Sequence, residues 1–490
     1  MREARTYRHP GGASPAGLFA RLVRSVSLEA GSSGEVFACF DDEHVRLGQF
    51  SPAATARVPE LSIGLALGGS ASVSGEADTE IEALVRRLAR HGLLEYRLAR
   101  SLEGEDEVVI EPQVPDYWPR TAQLDGREVL LLSRFAYLRR RADQLVLESP
   151  LAPALFRICD PKMGTMLASL CSPQRMEQLL DDFSCPELLG LLVDSQVLFA
   201  TDPARDGTSR SAEGDEQLVL WDFHDLLFHA RSTEGRHANP LGGRYPYTGV
   251  IAPLPAVRPR WPGRKVDLRK SSRRDAEAAS PAVKLLHQRH STRSFDHQRP
   301  IALEELSHLL DRAARVQAKW RSPADDGSGG PVVDYAARSY PSAGASYELE
   351  LYLTVHQCEG LGRGFYHYDA ARHALVPIDV RPQDLEAMLA GAEFAMGASA
   401  PPQVLITMAA RFGRVAWKYS AVAYQLILKD VGVLTQTLYL MATDMGLGGC
   451  AIGSANIDLF AKMTGIEFHV EGAVGQFALG RGTSTEADEH

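Results

Sequence analysis

The spacing of apolar residues changes repeatedly along residues 276–490 and lays out alternating helices and strands. Leu303, Leu306, Leu310, Ala313 and Ala314 recur at helical spacing and predict an amphipathic helix over 303–316. YELELYLTVHQ, 347–357, alternates apolar and polar residues at its start, as a strand does. PQVLITMAA, 402–410, reads as a short buried strand, and AVGQFALGRG closes the chain as another. Between them, 414–445 is almost continuously helical in character and apolar nearly all round, with Gly432 as its one candidate break. A helix of that kind belongs in a large core or a subunit interface.

The first two hundred residues have a different rhythm. TEIEALVRRLARHGLLEYRL, 79–98, is a helix, a glycine and a strand, and it follows a β-leaning stretch over 35–50. Residues 152–200 repeat the theme with short helical patterns that end on the strand-like VLFA. Small helices followed by an apolar strand suit winged-helix-like modules, and two are expected, over 1–105 and 106–201. A polar, Gly/Ser-containing linker, 202–217, comes next, and a Pro-rich basic connector occupies 252–275. Between these two lies LVLWDFHDLLFHARSTEGRH, 218–237, with apolar residues at helical spacing, so 202–275 is expected to be linker and lead-in helix. His224 and His229 sit about 140° apart around a helix of roughly 3.6 residues per turn, which favours capping or packing over metal binding. The remainder, 276–490, reads as an α+β domain.

Bulk numbers exclude more than they assign. A chain of 490 residues, 45% apolar and 23% charged, is an ordinary globular protein with room for about three domains. A net charge of -10 argues against a general nucleic-acid binder. No apolar run approaches the roughly 18 residues that cross a bilayer, and the N-terminus lacks the apolar core of a signal peptide. Six cysteines without a CxxC pair suggest neither a zinc site nor a disulfide framework, so no metal is assigned and a cytoplasmic location with reduced thiols is expected.

Four fragments carry the candidate chemistry. HQRHSTRSFD, 287–296, gathers Arg289, His290, Ser291 and Arg293, either a solvated face or a clamp for a phosphate, whose oxygens match the guanidinium fork. RSYPSAGASYELELYL contains a tight turn, Pro341, Ser342, Ala343 and Gly344, whose small residues let backbone approach a flat ring closely. The third runs from Trp417 through Lys418 and Tyr419 to the glycines of GLGGCAIGS, and the fourth is FALGRG with Arg481. Cys450 reads as a packing residue, Tyr424 and Tyr439 as core or interface aromatics, and DDGSGGP, 325–331, as a loop that lacks the Gly-Lys-Ser/Thr ending of a phosphate loop.

Together these fragments resemble the flavin-dependent nitroreductase superfamily, in particular its SagB-type (McbC-like) dehydrogenases, the azoline oxidases of thiazole/oxazole-modified peptides. The resemblance covers about 218–482, and WDFHDLLFHARS and PLPAV look like the lead-in of that subfamily. More weakly, the N-terminal residues resemble the peptide-recognition modules of fused cyanobactin-type oxidases. The resemblance implies a nitroreductase-like domain, a central mixed sheet flanked by helices, that binds FMN. Arg289, Ser291 and Arg293, with the His290 backbone, would hold the FMN phosphate and ribityl chain. Pro341 to Gly344 would reach the isoalloxazine from the partner subunit of a homodimer, and Gly448, Gly449 and Gly453 would form a loop facing it. Arg481 would meet the phosphate, though the tail TSTEADEH lacks the further basic residues common in the superfamily. Ser346 and Glu348 also depart from that superfamily's turn.

The same resemblance makes Lys418 and Tyr419 the catalytic pair. Aromatising a thiazoline or oxazoline moves a hydride to flavin N5 and needs a base for the α-proton. Burial against Trp417, Val415 and Val422 would favour a neutral Lys418, whereas a Lys418 ammonium would favour the Tyr419 phenolate, and the sequence leaves the two assignments open. The implied partners are an azoline-containing precursor peptide and a cyclodehydratase complex, with O2 taking the electrons. The alternatives are an NAD(P)H-dependent nitro- or quinone reductase, which needs no lysine base, and a non-catalytic scaffold that docks peptides by strand addition.

Overall fold

The structure is a computed structural model of the chain, and it describes residues 16–483 except 32, 41–42, 68–75, 125, 127, 183–184, 202–215, 240–241, 261, 269–279 and 324–329. Most of the 202–217 linker, the end of the 252–275 connector and most of the 325–331 loop therefore lie outside the described residues. The described part of the connector forms neither helix nor strand. Contacts divide the chain into two units, Met1–Arg231 with Gly235–Ala238, and Ser232–Glu234 with Asn239–His490. Among the described residues no helix is long and apolar enough to cross a membrane.

In the first unit, seven antiparallel strands form one sheet in the order Leu65–Leu67, Gly17–Leu22, Leu94–Ala99, Asp106–Pro112, Ala154–Ile158, Gln144–Glu148, Tyr137–Arg141. The two stretches expected as separate modules meet in this sheet, because Leu94–Ala99 and Asp106–Pro112 are the arms of one hairpin, Tyr96 opposite Ile110. A single core follows, in which Leu84, Leu88 and Tyr96 are buried in one cluster with Leu167, Leu188 and Leu192. A second, three-stranded sheet orders Gln174–Arg175, Val129–Leu132 and Leu198–Thr201, beside helices Pro161–Ser169, Met176–Asp182 and Glu187–Asp194. His229 is fully buried and stacks on Trp221 at 5.8 Å, a packing histidine, while His224 is exposed beside Asp225.

The second unit contains, in chain order, α1 (Pro281–Gln288), α2 (Leu303–Ala314), β1 (Ala318–Pro323), β2 (Val332–Ala337), β3 (Leu349–Val355), β4 (Gly364–Asp369), β5 (Ala374–Ile378), α3 (Pro382–Met396), β6 (Val404–Arg411), α4 (Gly413–Ala416), α5 (Ala423–Asp444), β7 (Gly448–Ile452), α6 (Ile457–Thr464) and β8 (Glu471–Gly480). Its sheet orders β5-β4-β3-β6-β8-β7. Every ladder is antiparallel, where a mixed sheet was expected. The described parallel pairings are the isolated bridges Glu234–Asn456 and Ala302–Glu359. β6 and β8 are buried along nearly their whole length because the sheet is covered on both faces, which explains why their sequences run apolar instead of alternating.

The long helical stretch is broken, but not at Gly432, which lies inside α5. The break is at 417–422, between the end of α4 and the start of α5, and within it Ala421 takes φ 60°. Nor is α5 buried all round: Tyr424, Ile427, Asp430, Leu434, Leu438 and Ala442 mark one core-facing stripe at spacings of three and four.

Candidate active site

The turn between β2 and β3 is a single 3-10 turn, Ala343–Ala345, with Gly344 in the left-handed region at φ 56°. The Ser342 hydroxyl oxygen accepts from the Tyr347 N–H at 2.9 Å, and the hydroxyl donates to Glu348 Oε2 at 3.3 Å. The Ala343 N–H donates to Asp430 Oδ2 of α5 at 2.9 Å. The turn is thus tied to its own strand and to the long helix. Against it stand Lys418 and Tyr419. A Cβ built on Gly344 would lie 2.5 Å from the Tyr419 hydroxyl oxygen and 2.6 Å from Lys418 Nζ. Only glycine lets the amine and the phenol come this close, and Lys418 Nζ is itself 5.3 Å from the Tyr419 ring centre.

The pair is placed by α4 and the turn after it, through bonds from the Lys418 and Tyr419 N–H groups to the Val415 carbonyl at 3.0 and 2.9 Å. The apolar surround expected for Lys418 is not formed within the chain. Val415 is buried, but Lys418, Trp417 and Val422 are exposed, the last two at 55% and 41%, because the chain leaves the helical path there.

Arg289, Ser291 and their neighbours meet a different part of α5. The Ser291 hydroxyl and the Tyr439 hydroxyl are 2.8 Å apart, Tyr439 also accepts from the Ala451 N–H at 2.8 Å, and the Arg289 guanidinium carbon lies 5.0 Å from the Tyr439 ring centre. The Thr292 N–H donates to the Gly449 carbonyl at 2.8 Å. Gly448 and Gly449 belong to β7, not to a loop, and are there for space: a Cβ would run into the Thr292 side chain and the Phe477 ring, respectively. A Cβ on Gly453 would meet open space. His290 is exposed, its Nδ1 3.0 Å from the Gln288 carbonyl, and Arg293 is exposed. Cys450 is buried in β7.

Arg481 lies beside this segment through its backbone, its carbonyl accepting from the Asp296 N–H at 2.8 Å. Its side chain is committed elsewhere, forking onto both carboxylate oxygens of Glu305 at 2.9 and 2.8 Å. Although burial opposes ionisation of Glu305, the Ala302 N–H and the Arg481 guanidinium together hold it below the usual carboxyl range. Gln403, fully buried, accepts from the Ile301 and Arg481 N–H groups and donates to the Asp296 carbonyl, binding the closing strand to the segment after Arg293.

The expected residues thus form two sets, the turn with Lys418 and Tyr419, and Arg289–Arg293 with β7. Both hang on α5, at Asp430 and Tyr439, nine residues or about 13 Å apart along the helix.

Glu348 has no solvent exposure, and its Oε1 has no hydrogen-bond partner. Burial, reinforced by the facing Asp430 carboxylate, outweighs the hydrogen bonds from its own backbone and from Ser342 and pushes the Glu348 carboxyl up to about 7. Asp430, Thr292 and Tyr439 escaped sequence reasoning as parts of the site, and Glu348 was noticed there only as a departure from the superfamily's turn. For Tyr439 the one available signal was that a buried phenol needs a partner, but that partner is 148 residues away. In the first unit, Glu29, Cys39 and His44 come within 4.8 Å of one another on the Ser27–Gln49 hairpins, another grouping that sequence spacing did not reveal.

Comparison with known proteins supplies the class. The nitroreductase family pattern matches residues 286–481, and that of the cyanobactin oxidase ThcOx matches 130–238. A Methanocaldococcus jannaschii protein named for the nitroreductases is 32% identical over 155 residues, which cover 32% of this chain and 70% of that protein. Among solved structures, a nitroreductase-type protein of Ralstonia eutropha matches at 23% identity over 43% of this chain and 87% of its own, with a TM-score of 0.31. The E. coli microcin synthetase McbBCD complex matches at 19% identity over 55% of this chain and 97% of the matched chain, with a TM-score of 0.39. The chain belongs to the nitroreductase family and is an oxidoreductase.

Proposed function

We propose that the protein is an FMN-dependent oxidase that dehydrogenates thiazoline or oxazoline rings in a ribosomally made peptide to thiazoles or oxazoles, with O2 as final electron acceptor. The observation that carries this is the packing of Gly344 directly against Lys418 and Tyr419, which puts an amine and a phenol at a turn bare enough to lie beside a flat ring. A nitro- or quinone reductase fed by nicotinamide has no need of that pair.

The residues present fit the flavin. Arg289 and Arg293 offer forked donors for its phosphate, Ser291 and the 448–449 backbone stand beside them, and the Gly344 turn brings bare backbone directly against Lys418 and Tyr419. When bound, FMN supplies the hydride acceptor. The protein's own part is to hold the ring and take its α-proton, and Lys418 Nζ and the Tyr419 oxygen are the two groups placed to receive it. Each ring loses a hydride and a proton, and the two electrons reduce O2 to peroxide. The separation of the two residue sets along α5, together with exposed Leu286, Trp417 and Val422, fits a homodimer in which each flavin is shared between copies.

The precursor peptide would be recruited by the first unit, consistent with the cyanobactin oxidase match, through strand addition at an edge of the Gln174–Arg175, Val129–Leu132, Leu198–Thr201 sheet. A cyclodehydratase that forms the azoline is the implied upstream partner. Lys418→Ala and Tyr419→Phe should keep the flavin absorption band and slow ring oxidation by about 10²–10⁴. Mass spectrometry of an azoline peptide, reading two hydrogens lost per ring, checks this. Normal turnover by both variants, or rapid anaerobic bleaching of the yellow protein by NADPH, would favour the reductase.

A further inference from the structure

On the second unit, a hollow of about 690 Å³ opens between the β1–β2 hairpin, the segment after the Gly344 turn and α4. Its size is that of a site for a small ligand or a few peptide residues. It lies next to the proposed catalytic pair. Ser346 and Tyr347, which line it, follow Gly344 by two and three residues, and Arg414, which lines it from α4, precedes Lys418 by one helical turn.

The hollow is cationic in a chain that is acidic overall. Five lysine and arginine side chains line it, against three carboxylates. Those carboxylates are already paired: Asp334 with Arg321 at 3.0 Å, Glu350 with Arg411 at 3.6 Å, and Asp369 with Arg372 at 2.7 Å. That leaves Lys319, Arg338 and Arg414 with no carboxylate within ion-pair distance among the described residues. Arg338 and Arg414 bond carbonyl oxygens, at Leu349 and at Ser346 and Asp334, which orders them without a carboxylate partner among the described residues. One wall is a cross-strand aromatic pair, Trp320 on Tyr335, with ring centres 5.6 Å apart, planes 14° apart and Trp320 45% exposed. Two stacked rings on an open hairpin bury little core area, but they offer a flat platform beside the cations.

Resting on the azoline-oxidase reading, we propose that this hollow is the subsite for the substrate residues flanking the ring, and that it selects an acidic side chain there, with carboxylate on Lys319 and backbone against Trp320. Cationic side chains that are not ion-paired strengthen binding of a charge that compensates them, and the effect weakens as salt rises.

The test uses the full flavin-loaded protein and two synthetic thiazoline peptides that differ only in Glu or Gln beside the ring. Calorimetry should show the Glu peptide binding about tenfold more tightly at low salt, and oxidation should show the same ratio in KM with kcat little changed. Lys319→Glu should abolish or invert that preference, and Trp320→Ala should weaken both peptides alike. Equal affinity for the two peptides, or a preference that survives Lys319→Glu, overturns the subsite. So does a change of oligomeric mass in either variant by light scattering, which would make the hollow a subunit contact. If the Glu preference in binding is present but neither peptide is oxidised, the subsite stands and the azoline-oxidase reading fails.

Discussion

Replacing Glu348 with glutamine tests the site's least expected feature. The side chain is fully buried, faces Asp430, and receives a single side-chain hydrogen bond, from Ser342, so the protonated form is the one the fold favours. Its carboxyl is raised from the usual 4.5 to about 7. Because the folded value lies above the unfolded one, the stabilising contribution of the bound proton is complete below about pH 4.5 and is lost as pH rises through 7. At about 1.4 kcal/mol per pH unit, the loss between pH 4 and 8 is about 3 kcal/mol. Glutamine keeps the shape and cannot ionise, so Glu348→Gln should not show this loss. Hydrogen-exchange mass spectrometry on peptides covering β3 reads it directly. Protection in the wild type should fall relative to Glu348→Gln by on the order of a hundredfold across that range. Curves that stay parallel from pH 4 to 8 would refute the buried neutral carboxyl and with it the account of how the turn is held.

Other expectations concern neighbouring groups. Tyr439→Phe removes the acceptor of the Ala451 N–H and the partner of Ser291, and should cost about 1–3 kcal/mol in thermal unfolding and loosen flavin retention. Gly344→Ala forces a methyl onto Lys418 and Tyr419 at a left-handed position, so oxidation should fall at least about tenfold while circular dichroism stays unchanged. For Arg481 and Glu305, a double-mutant cycle with Arg481→Ala and Glu305→Gln should give a coupling of about 0.2–1 kcal/mol. If instead Arg481→Ala empties the protein of flavin while Glu305→Gln does not, the guanidinium serves the phosphate and not the carboxylate.

Elements whose periodicity is local are legible in the amino-acid order alone. The amphipathic α2, strands β3, β6 and β8, and the helix-glycine-strand of 79–98 follow from spacings that each span a few residues. The same order also marks which short motifs carry chemistry, since arginines around a serine, a Pro-Ser-Ala-Gly turn and a Lys-Tyr pair are legible without a fold.

What those motifs touch was decided only by the tertiary structure. That Gly344 packs on Lys418 and Tyr419 depends on a strand turn and a helix end about 75 residues apart in sequence meeting through Asp430. The pairing of Arg481 with Glu305, 176 residues apart, is also fixed by a distant partner, whereas the two supposed modules join in one seven-stranded sheet through the hairpin of Leu94–Ala99 and Asp106–Pro112. Periodicity records which face of an element is buried. It does not record what lies opposite, and so a carboxyl such as Glu348, or a phenol such as Tyr439, acquires its character only when the chain closes around it.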